Sequence, residues 1–214
     1  PPDKFKAFRE EPPDHIALTY INCSADVKAL SDIIVTSSSA EIILNQIPQD
    51  QKIIFAPDKH LGGYLSRKTG RDMLLWPGVC IVHEAFSETE LLKLKAQHPQ
   101  APIAAHPECP PDVVAEADFS GSTSGIIDYV TQQRPEKAML VTECSMASNI
   151  SDALPDVDFV GPCNMCPYMK KITLEKVLWS LHTMEGAVEV DPEIADKARV
   201  AVQRMIDLSA KMAG

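Results

Sequence analysis

Short apolar runs alternate with helical patterns along the whole chain. Five runs have the length and composition of buried strands, and they cover residues 16–20, 52–56, 103–105, 138–142 and 158–160. Between these runs, apolar positions recur with the 3.6-residue period of amphipathic helices. This alternation predicts an α/β protein whose strands are parallel.

Polar residues mark the expected helix starts. Ser38 precedes Glu41 by three positions, and Ser87 precedes Glu90 by three positions, which is the pattern of a capping box. In such a box each side chain accepts a free backbone N–H of the other residue. We therefore expect helices to begin just after Ser38 and Ser87.

Two parts of the chain align with each other without gaps at an offset of 86 residues. The segment TYINCSADVKALSDIIVTSSS, from Thr19, matches AHPECPPDVVAEADFSGSTSG, from Ala105. The same offset places residues 52–55 on residues 138–141, and it places Cys80 on Cys166. The sequence therefore predicts two copies of one α/β unit.

The repeat distinguishes the two cysteines of the motif GPCNMCPYM as candidate metal ligands. Cys166 is equivalent to Cys80, whereas Cys163 aligns with Pro77, so Cys166 is the better candidate for a metal ligand. Two thiolates do not complete a site, and the period places a third cysteine upstream of Pro1. Three thiolates on a shared axis suit an iron–sulfur cluster in which one iron stays open as a Lewis acid.

Two other interpretations of the C-x-x-C motif are compatible with the sequence. A lone C-x-x-C motif is also compatible with a non-catalytic dithiol or electron-transfer protein, and with a zinc-stabilised binding module. A dithiol would make Cys80 irrelevant, and zinc would require a closed site with four ligands.

Charge and hydropathy narrow the range of partners. The formal net charge is −10, so no basic stripe is available for nucleic-acid phosphates, and we expect no nucleic-acid partner. No apolar run approaches the roughly 18 residues of a membrane span, and the polar start PPDKFKAFREEPPD is unlike a signal peptide. We expect a cytoplasmic protein without a membrane partner, and the start at Pro1 suggests a fragment or a processed product.

Seven ordered motifs resemble those of quinolinate synthase, the iron–sulfur enzyme family of NAD (pyridine nucleotide) biosynthesis. They are YINCSADVKALSD, TSSSA, APDKHLGGY, WPGVCIVHE, HPEC, GSTSG and CNMCPYM. The resemblance covers essentially the whole chain. It implies three-layer α/β/α units with short parallel sheets in a pseudo-threefold arrangement, each unit supplying one cysteine to a central [4Fe–4S] cluster.

The same resemblance implies a division of the chain. Residues 1–82 resemble the family's second domain and residues 83–168 its third, while residues 169–214 form C-terminal helices expected to pack on a missing first domain. We expect the final helix to begin at Asp191-Pro192. Its inward residues are Ile194, Ala198, Val202, Met205 and Met212, and the first four are expected to be partly bare. A piece without the first domain is expected to be inactive.

The family's reaction condenses iminoaspartate with dihydroxyacetone phosphate to give quinolinate, phosphate and water. The resemblance therefore implies these two small-molecule substrates and a transferase-type condensation with dehydration. It also implies a functional link to an aspartate oxidase or dehydrogenase, which would produce iminoaspartate.

Four polar residues occupy equivalent places at two strand ends. Tyr20 and Asn22 lie two positions apart, so both can point to one face, and His106 and Glu108 are their counterparts. By resemblance all four line the active site. We expect Glu108 to act as general base, His106 as general acid and Tyr20 as a proton donor or relay, while Asn22 orients the substrate.

Hydroxyl residues before two predicted helices are candidates for anion binding, because free N–H groups at helix starts favour phosphates and carboxylates. Ser37 and Thr123 are the preferred binders, and Ser122 adjoins Thr123. The resemblance adds His83, three residues after Cys80, as a pocket residue. In PDKHLGG, the glycines Gly62 and Gly63 need be no more than turn residues.

Overall fold

The computed structural model describes residues 1–210 of the chain. Its first unit is a four-stranded, all-parallel sheet with strand order β2-β1-β3-β4. The strands are β1 (Ile16–Tyr20), β2 (Ile33–Val35), β3 (Ile53–Ala56) and β4 (Met73–Leu75). The helices of this unit are α1 (Pro2–Glu10), α2 (Ala25–Ala29), α3 (Ala40–Gln46) and α4 (Lys59–Thr69).

The second unit repeats this architecture with strand order β6-β5-β7-β8, again all parallel. Its strands are β5 (Ile103–Ala105), β6 (Phe119–Ser120), β7 (Lys137–Val141) and β8 (Asp158–Val160). Its helices are α5 (Glu88–Gln97), α6 (Pro111–Ala115), α7 (Thr123–Gln133) and α8 (Ser145–Ser151). Helices cover both faces of each sheet, so the predicted α/β class of repeated α/β/α units is confirmed.

Matching hydrogen bonds show that the two units are structurally equivalent. In the first unit the Asp32 carboxylate accepts the backbone N–H of Ala17 at 2.8 Å, beside the strand pair β1–β2. In the second unit the Asp118 carboxylate accepts the N–H of Ile103, also at 2.8 Å. Both pairs are related by the offset of 86 read from the sequence.

The third strands depart from that offset by one residue. In the first sheet Ala17 pairs with Ile54, whereas in the second sheet Ile103, the equivalent of Ala17, pairs with Met139. The faces agree, because Phe55 packs towards α3 and α4 while Leu140 packs towards α7 and α8. Strand β3 therefore matches β7 at an offset of 85. The gapless alignment of residues 52–55 with 138–141 is wrong by one position, which exchanges the two faces of the strand.

The predicted capping boxes are both wrong in detail. Helix α3 begins at Ala40 with Ser39 as its N-cap, and the Glu41 carboxylate instead pairs with Lys68 at 2.8 Å. Helix α5 does follow Ser87, but the Ser87 side chain makes no capping hydrogen bond.

The glycines of PDKHLGG are not turn residues. Both lie within α4, and a Cβ added at Gly62 would stand 2.7 Å from Leu75 and 2.8 Å from Phe55. Gly62 therefore lets α4 lie close against β3 and β4.

Three elements follow the second unit: a short 3₁₀ helix (Met169–Lys171), α9 (Leu174–Thr183) and α10 (Pro192–Ala210). Helix α10 packs against α2, α3 and β2 of the first unit, where Ala198 and Ala201 are buried. The expectation of a partly bare inner face therefore fails for Ala198, and Met212 lies outside the described residues. Helix α9 instead exposes its apolar residues to solvent. Within residues 1–210, no helix combines the length and the hydrophobicity needed to span a bilayer.

Candidate active site at the junction of the two units

The candidate site lies at the carboxyl ends of the parallel strands, where ligand-binding residues of α/β sheets usually gather. Tyr20 is the last residue of β1, and His106 directly follows β5 at the equivalent position. Both side chains are buried, at 8% and 3% exposure. Parallel pairing places the ends of β3 and β7 beside them.

Residues 76–87, which follow β4, form the Cys80 loop. The buried carboxylate of Asp58 holds this loop: its Oδ2 accepts the N–H of Cys80 at 2.8 Å, and its Oδ1 accepts the N–H of Leu61 at 2.7 Å. Gly78 allows the loop to pass close to β3, because a Cβ there would stand 2.3 Å from the carbonyl oxygen of Pro57. One carboxylate thus fixes both the start of α4 and the backbone of Cys80.

Residues 161–168 form the Cys166 loop, which is held in the same way. The Glu143 Oε1 accepts the N–H of Cys166 at 3.1 Å, and its Oε2 accepts the N–H of Ser145 at 2.8 Å, at the start of α8. Asp58 and Glu143 each lie two residues beyond the third strand of their unit. The offset of 85 found for β3 and β7 relates them.

The two cysteine loops contact each other. The amide of Asn164, in the Cys166 loop, donates to the carbonyl oxygen of Val82, in the Cys80 loop, at 3.3 Å. The ring of His83 lies 3.1 Å from the Thr142 hydroxyl, at the end of β7. These contacts fix the Cys80 loop of the first unit over the strand ends of the second.

Three titratable side chains form a buried group beneath the Cys80 loop. His83 Nδ1 and His106 Nδ1 each lie 3.3 Å from Glu108 Oε2. The two imidazole rings stack with their centroids 4.7 Å apart. The structure thus brings together Glu108, His106 and His83, three of the residues that the sequence analysis expects in one pocket.

The surroundings of these three groups shift their pKa values in different directions. Burial opposes the charge of Glu108, but His83 and His106 outweigh burial and hold its pKa below the ordinary value. Burial also opposes the charge of His83, but the Cys80 and Glu108 side chains outweigh it and raise its pKa to about 9. Burial, together with the charge of His83, lowers the pKa of His106 to about 4. At neutral pH Glu108 is thus a carboxylate, His83 an imidazolium and His106 a neutral imidazole.

Tyr20 is held in its protonated form. Burial, with the nearby Glu108 carboxylate, raises the pKa of Tyr20 to about 12. Its phenol therefore keeps its proton throughout the neutral range and is available as a hydrogen-bond donor.

Only some of the residues expected to bind anions lie together in the structure. Ser37, Ser122 and Ser124 line one cavity of about 360 Å³ between the two units, together with Tyr64, whose hydroxyl donates to the Ser120 carbonyl at 3.0 Å. The Ser122 hydroxyl also accepts the N–H of Gly125, so Ser122 is the N-cap of α7.

Two other expected residues lie elsewhere. Thr123 is the exposed first residue of α7 and does not line the serine cavity. Asn22 lines a separate cavity with Phe5 and Trp76. Among the described residues, neither makes a hydrogen bond to the side chains of His83, His106 or Glu108.

The cysteines divide into distinct classes. Cys80 and Cys166 are free and partly exposed, whereas Cys144 and Cys163 form a disulfide. Because Cys163 is bonded to Cys144, Cys163 and Cys166 do not form a dithiol pair, which argues against the dithiol interpretation. Cys109 is buried in the core of the second unit, whereas Cys23 is partly exposed.

Sequence reasoning did not identify Asp58, Glu143 and Thr142. A signal was present, because Asp58 and Glu143 each stand between a strand and a helix, where a carboxylate caps free N–H groups. Their second bonds, to the cysteine backbones, depend on loops more than 20 residues further along the chain.

The geometry of the site also allows metal binding. Cys80, His83 and Glu108 each offer a ligand atom, and these atoms all lie within 4.8 Å of one another. The fold and this site together define a repeated α/β protein that gathers thiol, imidazole and carboxylate groups where its two units meet.

Comparison with known proteins identifies the family. The family model described as quinolinate synthetase A protein matches residues 1–207, and the chain belongs to this family. It is 50% identical over 203 residues to the quinolinate synthase of Sinorhizobium medicae, 42% identical over 218 residues to that of Prochlorococcus marinus, and 44% identical over 216 residues to that of a Synechocystis species.

These alignments cover 95%, 99% and 98% of this chain, but 56%, 66% and 68% of the three relatives. The chain therefore spans between about half and two thirds of the length of these curated relatives.

Proposed function

We propose that this chain forms part of a quinolinate synthase, which condenses iminoaspartate with dihydroxyacetone phosphate to give quinolinate, phosphate and two waters. Membership of the family supports the reaction class. The observation that carries the proposal is the buried group of His83, His106 and Glu108 beside Cys80. A condensation with loss of water needs proton-transfer groups shielded from solvent, and this group has that character.

A [4Fe–4S] cluster is the cofactor of the proposal, with Cys80 and Cys166 as two of its ligands. Their free thiols, on loops that contact each other and are held by equivalent carboxylates, fit a shared metal centre. The third thiolate would come from the part of the relatives that this chain does not span. When bound, the cluster would supply an open iron that assists the loss of a hydroxyl group as a Lewis acid.

Glu108 is the proposed general base, because it is an ionised carboxylate at hydrogen-bonding distance from two imidazoles. His106 was the expected acid, but a pKa of about 4 leaves it neutral, so His83 is the stronger candidate for proton donation. Neutral His106 would then bind substrate oxygen atoms. Tyr20, which keeps its proton, would donate a hydrogen bond or relay a proton.

Substrate anions are proposed to bind among hydroxyl groups at the ends of β2 and β6. Ser37 and Ser122 share a cavity, which supports them as ligands for a carboxylate or a phosphate. Thr123 and Asn22 stay in the proposal as residues that meet the substrate once the rest of the protein is in place.

Residues 1–82, 83–168 and 169–214 are proposed as the second domain, the third domain and the C-terminal helices of the full protein. The exposed apolar face of α9 supports a further packing surface; it includes Leu174, Val177, Leu178 and Leu181. Because the cluster would need a third cysteine, the 214-residue chain alone is proposed to be inactive. We place the full protein in the cytoplasm, next to an aspartate oxidase or dehydrogenase that supplies iminoaspartate.

A Glu108→Gln substitution in the full-length protein tests this function. It removes the proposed base at nearly constant volume, so turnover should fall by roughly a hundredfold or more while the cluster spectrum is unchanged. Glu116→Gln, on the surface of the same unit, is the matched control and should leave turnover unchanged. Near-normal turnover in Glu108→Gln would remove Glu108 from the mechanism.

A further inference from the structure

In the absence of a cluster, Cys80, His83 and Glu108 are arranged as ligands of a single metal ion could be. Their ligand atoms lie within 4.8 Å of one another, and His83 Nδ1 lies 3.3 Å from Glu108 Oε2. Ligand atoms around a tetrahedral zinc ion are separated by about 3.3 to 3.8 Å, given bond lengths of about 2.0 to 2.3 Å. The His83–Glu108 pair already has this spacing. Cys80 is partly exposed, and its Sγ lies within 4.8 Å of both other ligand atoms.

The orientation of His83 supports the same arrangement. Its Nε2 is paired with the Thr142 hydroxyl at 3.1 Å, which leaves Nδ1 directed towards Cys80 and Glu108. His83 is 6% exposed, and its Nδ1 has no hydrogen-bond partner among the described residues, although Glu108 Oε2 lies 3.3 Å away. A metal-ligating histidine commonly has its second nitrogen fixed in this way, while the first is free to bind.

Charge and ligand type select the ion. When the ion binds, the Cys80 thiol and the His83 imidazolium each release a proton to solvent. The resulting thiolate and the Glu108 carboxylate balance the charge of a divalent cation, and the imidazole adds a neutral ligand. A set of one sulfur, one nitrogen and one oxygen suits a borderline-soft cation such as Zn²⁺, and it does not suit Mg²⁺ or Ca²⁺, which take oxygen ligands. Three protein ligands leave a fourth position open on the exposed side of Cys80.

We propose that, in the cluster-free protein, Cys80, His83 and Glu108 bind one borderline-soft divalent cation, for which Zn²⁺ is the probe. Cys166 is not a ligand of this ion. Because the ion and an iron–sulfur cluster both require the Cys80 thiolate, they exclude each other. Zinc binding thus competes with cluster assembly at the first unit's cysteine.

The direct test titrates Co²⁺, a coloured substitute for Zn²⁺, into the full-length protein from which iron has been removed. We expect one equivalent to bind, with the visible bands of a tetrahedral ion and a sulfur-to-metal band of one thiolate. This measurement uses the unsubstituted protein and does not depend on the folding of a variant. A spectrum without thiolate ligation, or with two thiolates, would overturn the proposal.

Variants then identify the ligands through Zn²⁺ affinity, measured by competition with a chromogenic chelator. Cys80→Ser, His83→Gln and Glu108→Gln should each weaken binding by at least about a hundredfold. Thr142→Val should weaken it by roughly ten- to a hundredfold, because it removes the partner that orients His83. Cys166→Ser is the matched control and should bind Zn²⁺ as the unsubstituted protein does, although it loses the cluster.

Competition gives a separate readout. Protein preloaded with one equivalent of Zn²⁺ should fail to assemble a cluster until a chelator is added. Equal Zn²⁺ affinity in Cys80→Ser, or cluster assembly with the zinc retained, would refute the proposal. Neither result bears on quinolinate synthesis, which is judged by turnover.

Discussion

The carboxylate of Asp58 joins the first turn of α4 to the backbone of Cys80. It accepts the N–H of Leu61 at 2.7 Å and the N–H of Cys80 at 2.8 Å, and Asp58 is only 2% exposed. Glu143 makes the equivalent pair of bonds to Ser145 and Cys166 from a more exposed position. In both units, therefore, a carboxylate that follows the third strand sets the position of the candidate cluster cysteine.

Asp58→Asn should destabilise the chain by about 1–3 kcal/mol, because the amide can accept one of the two N–H bonds and leaves the other buried donor without a partner. Glu143→Gln is the matched control, and its smaller burial predicts a smaller loss. The free energy of unfolding from urea titrations measures both. Equal losses in the two variants, or no loss in Asp58→Asn, would contradict this role for Asp58.

Gly62→Ala and Gly63→Ala should change stability in opposite directions, although they are neighbours in α4. A methyl group at Gly62 would meet Leu75 and Phe55 at less than 3 Å, so we expect a loss of about 1–3 kcal/mol. At Gly63 the nearest atom is the end of the Arg67 side chain at 3.5 Å, so higher helix propensity should stabilise by about 0.5–1 kcal/mol. Thermal or urea unfolding measures the stability of both variants. A stabilised Gly62→Ala variant would show that α4 does not lie this close to the sheet.

Alkylation with iodoacetamide, followed by mass spectrometry, should separate five of the six cysteines into three groups. In the native, metal-free chain Cys80 and Cys166 should react, since they are free and partly exposed. Cys109 should stay unmodified, because it is 1% exposed and burial raises the pKa of its thiol. Cys144 and Cys163 should react only after reduction. Reaction of Cys163 without a reductant would contradict the Cys144–Cys163 pairing.

Much of the fold could be predicted from the sequence, because the central strands are strong apolar runs. Strands β1, β5 and β8 were predicted with the bounds observed, and β3 and β7 within one residue. Strands β2, β4 and β6 were missed. They are edge strands of two or three residues, as is β8, and so short an apolar run gives only a weak strand signal.

The one-residue slip between β3 and β7 shows what a gapless alignment leaves undetermined. Both strands are almost wholly apolar, so neither sequence indicates which side chains face which layer. The assignment required the pairing of Ile103 with Met139 and the packing of Leu140. Buried parallel strands have this ambiguity because both of their faces are covered.

Of the candidate site, the residues at strand ends could be predicted from the sequence, whereas most of the residues that position them could not. Tyr20, His106 and Glu108 follow from the repeat. The stacking of His83 on His106 and the bond from Asp58 to Cys80 depend on the path of an irregular loop. No periodicity in the sequence encodes that path.

We propose that the two repeated units each supply one cysteine to a shared iron–sulfur cluster in a quinolinate synthase. Anaerobic reconstitution of the full-length protein, followed by visible absorption and iron analysis, measures this. We expect a [4Fe–4S] spectrum that is lost in Cys80→Ser and in Cys166→Ser and is kept in Cys163→Ser. An intact cluster in Cys166→Ser, or its loss in Cys163→Ser alone, would contradict the shared cluster.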